Sequence, residues 1–270
     1  MVGLPKDPGY KAACDRLYAK LEQVGSQLQE ESRSNRRGPF PVLNVGITHG
    51  KGTPHPVTLH SPLAKTPSKH VEVVEALLKD QDLVRIATFG SACFQMWAPD
   101  IFDYYKSKLD KLYARMPQLR RNFQKSVFPA AAINCGPNVW TYHHRDSMNC
   151  PFGFCAITAL GRFDPKFGGH LILRGLKLVI EFPPGATILI PSAVVVHGNI
   201  PVQPGDVRAS FTQYCPGGLL RFVDNHFMTE KKLKKANKTE YARLMAEKPL
   251  RWKMGLGLLS KFDDLVTRVE

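Results

Sequence analysis

His144-Arg145-Asp146 sets an imidazole and a carboxylate two residues apart, and His197 follows 51 residues after Asp146, at the end of the apolar run Val194-Val195-Val196. In an extended strand, residues i and i+2 point to the same face, so His144 and Asp146 can reach one ion. His197 supplies a third ligand from another strand. Two imidazoles and one carboxylate on one face of an octahedron leave three positions open, the donor set of non-haem Fe(II) oxygenases. An HxD pair on its own is common, and each histidine alone reads equally well as a hydrogen-bonded core or surface residue. The segment downstream of His197 gives the pair its weight.

Arg208 lies 11 residues after His197, in Val207-Arg208-Ala209-Ser210-Phe211-Thr212-Gln213-Tyr214. Period-2 alternation puts Arg208, Ser210, Thr212 and Tyr214 on one face and Val207, Ala209, Phe211 and Gln213 on the other. A polar row next to a metal histidine is costly to bury unless something inside pairs with it. A dicarboxylate does so: Arg208 offers a planar fork for one carboxylate, and Ser210 adds a hydroxyl donor. Without the histidines and Asp146, an outward-facing arginine on an edge strand is the better reading. His143 alternates to the face opposite His144, and His170, after Gly168-Gly169, belongs at a strand start rather than on the metal.

These residues need elements to hold them. After Ser126, short apolar runs (155–160, 170–173, 176–182, 186–197 and 207–214) are punctuated by Gly168-Gly169, Pro183-Pro184-Gly185 and Gln203-Pro204-Gly205-Asp206. That spacing predicts a sandwich or barrel, read here as a β-barrel core over 126–230. Upstream, Tyr10, Cys14, Leu17, Leu21, Val24 and Leu28 recur at helical steps over 8–32, and a second helical pattern runs from Lys69 to about Arg121. Between them, the glycines and prolines of 46–56 predict a loop rather than a central strand. Residues 231–270 predict a basic amphipathic helix and a tail whose Trp252, Leu256, Leu259 and Leu265 pack back onto the barrel. The expectation is one domain: helices and a substrate-side loop over 1–125, the core, then the basic tail.

Composition narrows the class. Hydrophobic residues make up 43 % and charged residues 22 % of the 270, as in a folded globular protein. Thirty-seven Lys and Arg against 23 Asp and Glu give a net charge of +14, a field that attracts polyanions and puts nucleic acid first among partners. The run Glu230-Lys231-Lys232-Leu233-Lys234-Lys235 fits a nuclear address, a phosphate-facing helix or a solvated face. Six cysteines without a CxxC pair predict buried thiols in a reducing, intracellular compartment, and the Cys150/Cys155 spacing argues against a zinc knuckle. No run of about 18 apolar residues occurs, so neither a membrane span nor a secretory signal is expected.

Taken together, the motifs 142–149, 159–165, 168–171, 182–185, 190–193 and 208–214 resemble the TET/JBP family, and more narrowly its fungal, transposon-associated branch. The likeness covers roughly residues 128 to 228; the glycine-rich 46–56 segment resembles the family's substrate-side loop. The resemblance implies a mainly β fold with flanking helices, a double-stranded β-helix (jelly-roll, cupin-like) barrel. It implies an Fe(II)- and 2-oxoglutarate-dependent dioxygenase that uses O2 to oxidise 5-methylcytosine in DNA to hydroxymethyl, formyl and carboxyl forms. The partner would be methylated duplex DNA with the target base flipped out, in the nucleus. Residue by residue, it puts metal ligands at His144, Asp146 and His197, the co-substrate arginine at Arg208, a base contact at Asn149 and a stacking ring at Tyr214. An amide can read a base edge, and an aromatic face can hold a flipped base. Capping a turn and packing in the core are the ordinary alternatives for these two.

Two departures leave the base open, N6-methyladenine included. Pro216 stands eight residues after Arg208, where relatives use a base-contacting histidine. Val139 stands five residues before His144, where one relative has a second co-substrate arginine. The animal enzymes' cysteine-rich zinc region is absent too. Two rival functions remain: a hydroxylase of proteins, lipids or small molecules on the same fold, and a catalytically dead nucleic-acid-binding barrel. Against the second stands the full set His144, Asp146, His197 and Arg208. Oligomeric state is not encoded legibly.

Overall fold

The computed structural model describes residues 3–28, 37–50, 52–59 and 68–267. The chain runs α1 (Pro8–Leu28), β1 (Val42–Thr48), β2 (Val57–Thr58), α2 (Ser68–Leu78), α3 (Gln81–Trp97), α4 (Pro99–Arg115), β3 (Ala130–Asn134) and β4 (Cys155–Arg162). It continues through β5 (Leu171–Leu173), β6 (Leu178–Ile180), β7 (Thr187–Ile190), β8 (His197–Asn199), β9 (Val207–Tyr214), α5 (Gly217–Asp224), α6 (Glu230–Ala236), α7 (Lys238–Glu247), α8 (Leu250–Leu256) and α9 (Phe262–Thr267). Helical residues outnumber strand residues, so the fold is less β-rich than the sequence patterns suggest.

The strands form a six-stranded antiparallel sheet, β2-β1-β3-β9-β4-β7, and a three-stranded one, β6-β5-β8. Among the described residues they remain two open sheets, jelly-roll-like, rather than the closed barrel expected. Alternation on each strand explains the layering. Cys155 and Ala159 of β4, Ile188 and Ile190 of β7, and Leu171 and Leu173 of β5 meet in a core between the sheets. The opposite face of the large sheet offers Leu43, Val45, Ile133, Leu160, Ala209 and Phe211 to α1 and α3. The polar row read on β9 therefore faces the space between the sheets, and its apolar row faces the helices.

Helix α1 begins at Pro8 and buries Tyr10, Cys14, Leu17, Leu21 and Leu28 on one stripe; residues 29–32 of the expected helix lie outside the described ones. Asp80 caps α3 by accepting from the Asp82 and Leu83 N–H groups at 3.0 and 3.1 Å. Asp82 in turn pairs with Arg16 of α1 at 2.6 Å, which locks the two helices over the sheet.

Three expectations need correction. Gly46 to Thr48 belong to β1, which pairs with β2 on one edge and β3 on the other. Gly46 makes this possible: at φ +92° it adopts backbone that other residues avoid, and a Cβ there would lie 2.1 Å from the Pro129 carbonyl oxygen. The run 186–197 breaks into β7, a turn and β8, because Pro191 cannot continue the ladder. In the C-terminal region, Trp252, Leu256 and Leu259 are exposed. Leu233, Leu244 and Gly255 are the buried residues there, with Gly255 against the Phe152 ring, where any side chain would collide. No helix among the described residues is long and apolar enough to cross a membrane.

Candidate metal centre

His144 and Asp146 sit on an extended connector, not on a strand. Backbone hydrogen bonds stitch the connector to its neighbours: Val139 N–H donates to Arg208 O at 2.9 Å, His144 and His197 exchange hydrogen bonds at 2.9 and 3.0 Å, and Cys150 N–H donates to Cys215 O at 2.9 Å. Asp146 N–H donates to Ser192 O at 2.9 Å. These single bridges impose the i, i+2 alternation that a full ladder would have imposed. His197 opens β8, so the two histidines face each other with ring centroids 4.4 Å apart.

One ligand atom from each of His144, Asp146 and His197 lies within 4.8 Å of the others. The Nε2 of His144 is 3.7 Å from Asp146 Oδ1, and that of His197 is 3.9 Å from Oδ2. Each Nδ1 lies against the carbonyl two residues earlier: Tyr142 O at 2.7 Å and Val195 O at 2.9 Å. A carbonyl only accepts, so each Nδ1 carries the proton and each Nε2 keeps its lone pair for an ion. Burial is the main influence on both rings and lowers their pKa below the usual 6.5, which keeps them neutral as ligands must be. Buried Asp146 completes the set.

A residue that sequence reasoning missed approaches the same carboxylate. Arg37 Nη2 donates to Asp146 Oδ1 at 2.5 Å across 109 residues, a pairing with no local signal. Ser192 is another: besides its carbonyl receiving the Asp146 N–H, its hydroxyl accepts from Asn149 Nδ2 at 3.1 Å. That bond orients Asn149 and leaves its Oδ1 without a hydrogen bond among the described residues.

Arg208 is the most telling side chain. It is 2 % exposed, its Nη1 donates to Val139 O at 2.8 Å, and its Nε is buried with no partner. The Phe163 ring lies 5.9 Å from its guanidinium carbon. No described carboxylate pairs with it, and burial pulls its pKa down to about 10. A buried cation without a counter-charge is expensive, and a bound carboxylate removes that cost. Ser210 accepts from Asn134 Nδ2 at 2.9 Å, which leaves its own O–H free to donate to the same guest.

Arg208 is linked through one backbone carbonyl to the strand that His197 opens. Val139 O also accepts from Asn199 Nδ2 at 3.4 Å, two residues after His197, so a single carbonyl ties β9 to β8. The donor set fits a divalent first-row metal, and the unpaired guanidinium fits a carboxylate-bearing co-substrate such as 2-oxoglutarate. Tyr214 is half-buried on the same row as Arg208, and desolvation pushes its phenol up to about 12, so it stays neutral. His143 is exposed, and His170 directly precedes β5. Lys51, a cation of the glycine-rich 46–56 segment expected from the sequence to grip phosphate, lies outside the described residues.

No protein-family model and no curated protein sequence matches the chain. Among solved structures, NgTET1 in complex with 5mC DNA is similar with a TM-score of 0.51 and 15 % identity, over 80 % of this chain and 70 % of that one. A 2OG-Fe(II) oxygenase family oxidoreductase from Burkholderia pseudomallei covers 78 % of this chain and 91 % of its own, at TM-score 0.34 and 16 % identity. The rice dioxygenase for auxin oxidation covers 78 % and 70 %, at 0.33 and 13 %. The first is a likeness of fold; the other two fall too low to carry an argument.

Proposed function

We propose that this chain is an Fe(II)- and 2-oxoglutarate-dependent dioxygenase that oxidises a methylated base in DNA, with 5-methylcytosine the first substrate to test and N6-methyladenine the second. The observation that carries the co-substrate is Arg208: a buried, unpaired guanidinium tied through one carbonyl to the strand of a two-histidine, one-carboxylate cluster. Three things support the DNA substrate: the net charge of +14, a fold shared with a structure solved on 5mC DNA, and the sequence motifs resembling the TET/JBP family and its fungal branch. A nuclear location goes with that substrate.

His144, Asp146 and His197 would hold the iron and Arg208 with Ser210 the far carboxylate of 2-oxoglutarate. When bound, these groups supply O2 activation and the oxidation of a C–H bond. The chain's own residues do the positioning. The two Nδ1–carbonyl bonds aim both imidazoles, and the Asp146 N–H to Ser192 bond fixes the connector. Burial of the cluster excludes water, and Asn149, three residues after Asp146, presents an amide to the base. A methyl group inside a stacked duplex cannot reach such a buried centre, so the base must be flipped out.

Incubation with methylated duplex DNA, Fe(II), ascorbate and 2-oxoglutarate, with mass spectrometry of the nucleosides, tests this. Hydroxymethylcytosine and its higher oxidation products are expected. If no methylated base is consumed while peptides or small molecules drive 2-oxoglutarate turnover, the nucleobase reading fails.

A further inference from the structure

Two cavities beyond Asn149 join into one trough. The first, about 330 Å3, lies between Ser147, Met148 and Asn149 on one side and Lys248, Arg251 and Trp252 on the other. The second, about 600 Å3, continues between α4, α5, α7 and α8. Tyr104, Asp224 and Arg251 line both, so the two adjoin, and Ser147 in the lining of the first follows the metal ligand Asp146 in the chain.

Its charge is one-sided. Lys108, Lys111, Arg221, Arg243, Lys248 and Arg251 line it, six cations against two carboxylates, Asp224 and Glu247. Both carboxylates are already paired: Lys108 holds Asp224, and Arg243 holds Glu247 at 2.5 Å. Glu230, outside the lining of either cavity, lies 3.9 Å from Arg221 and 3.4 Å from Lys248. Arg251 and Lys111 have no carboxylate within ion-pair distance among the described residues. In the first cavity, next to Arg251, Trp252 is 45 % exposed. Clustered cations with an exposed indole suit a polymer that alternates phosphates and flat bases.

We infer that the trough carries the DNA strand flanking the reacting base, with phosphates on Arg251 and Lys111 and a base stacked on Trp252. The inference rests on the DNA reading and gives the strand its path away from the metal. An acidic protein segment is the competing occupant, and it lacks the bases that would use Trp252.

Binding of a fluorescent methylated duplex, measured by anisotropy across a salt series without added metal, tests it. For Arg251→Gln/Lys111→Gln, the slope of log K against log salt should fall by about 2, close to 0.9 for each phosphate no longer neutralised. Lys231→Gln/Lys232→Gln, which removes equal charge from α6 outside the trough, should change it less. Trp252→Ala should weaken binding about tenfold with the slope kept, and Trp252→Phe should restore most of the affinity. A wild-type slope in the first pair, an equal fall in the α6 pair, or displacement of DNA by poly-glutamate at equal charge concentration would each overturn the assignment. If the trough variants lose binding but wild-type protein oxidises no methylated base, the trough stands and the dioxygenase substrate falls. If methylated DNA is oxidised while the trough variants bind normally, the reverse holds.

Discussion

Arg208→Met should make the ligand-free protein more stable and abolish its response to 2-oxoglutarate. Burial lowers the guanidinium pKa from its ordinary value to about 10, which corresponds to roughly 3 kcal/mol of unfavourable burial at 1.36 kcal/mol per pKa unit. At 2 % exposure, solvent screening does not reduce that figure much. Methionine fills much of the same volume without the charge. The change removes one hydrogen bond, to Val139 O, worth about 1 kcal/mol, and that oxygen keeps its bond from Asn199. The net gain is about 2 kcal/mol, which in a chain of this size raises Tm by roughly 4–8 °C. The assay is a thermal melt in chelator, repeated with Mn(II) and increasing 2-oxoglutarate. Wild type should gain about 2.7 kcal/mol at a hundredfold excess over Kd, and the variant should gain nothing from the co-substrate. A variant that melts below wild type in chelator, or that still responds to 2-oxoglutarate, would refute the idea that Arg208 is an unpaired cation kept for a carboxylate.

His144→Ala should lower Mn(II) affinity at least a hundredfold by titration calorimetry, because one of three ligands is gone; unchanged affinity would remove the cluster from consideration. Metal-free protein should keep its full stability above pH 6.5 and lose it as pH falls below. Burial depresses His49, His144 and His197, so the unfolded chain takes up protons that the folded chain does not. Denaturant midpoints at pH 7.5 and pH 5 check the direction, and a rise on acidification contradicts it. Gly46→Ala should cost about 2–4 kcal/mol in chemical denaturation, since φ +92° and the Pro129 carbonyl both exclude a methyl group. Asn149→Ala should harm oxidation of methylated DNA more than uncoupled 2-oxoglutarate consumption; equal harm to both would assign the residue to holding the connector through Ser192.

The residues of the centre were legible in the order of the chain because period-2 alternation is a local property. His144 and Asp146 fall on one side wherever the backbone is extended, and Arg208, Ser210 and Tyr214 share a row on β9 for the same reason. The helices 8–28 and 68–115 were legible in their apolar stripes. Everything carried by long-range pairing needed the folded chain. Whether the strands close into a barrel depends on which edges meet, and the edges of β7 and β6 hold no such information in their own residues. The strand at 42–48 was hidden by Gly46, whose left-handed backbone is tolerated because β3 supplies the neighbour that requires it. Arg37 reaches Asp146 only because the connector and residue 37 are stitched together at Tyr142. The missing counter-charge of Arg208 could not be read at all, since a cation is unpaired only with respect to everything packed around it. Sequence named the donors; tertiary structure decided which of them were buried, aimed and left in need of a ligand.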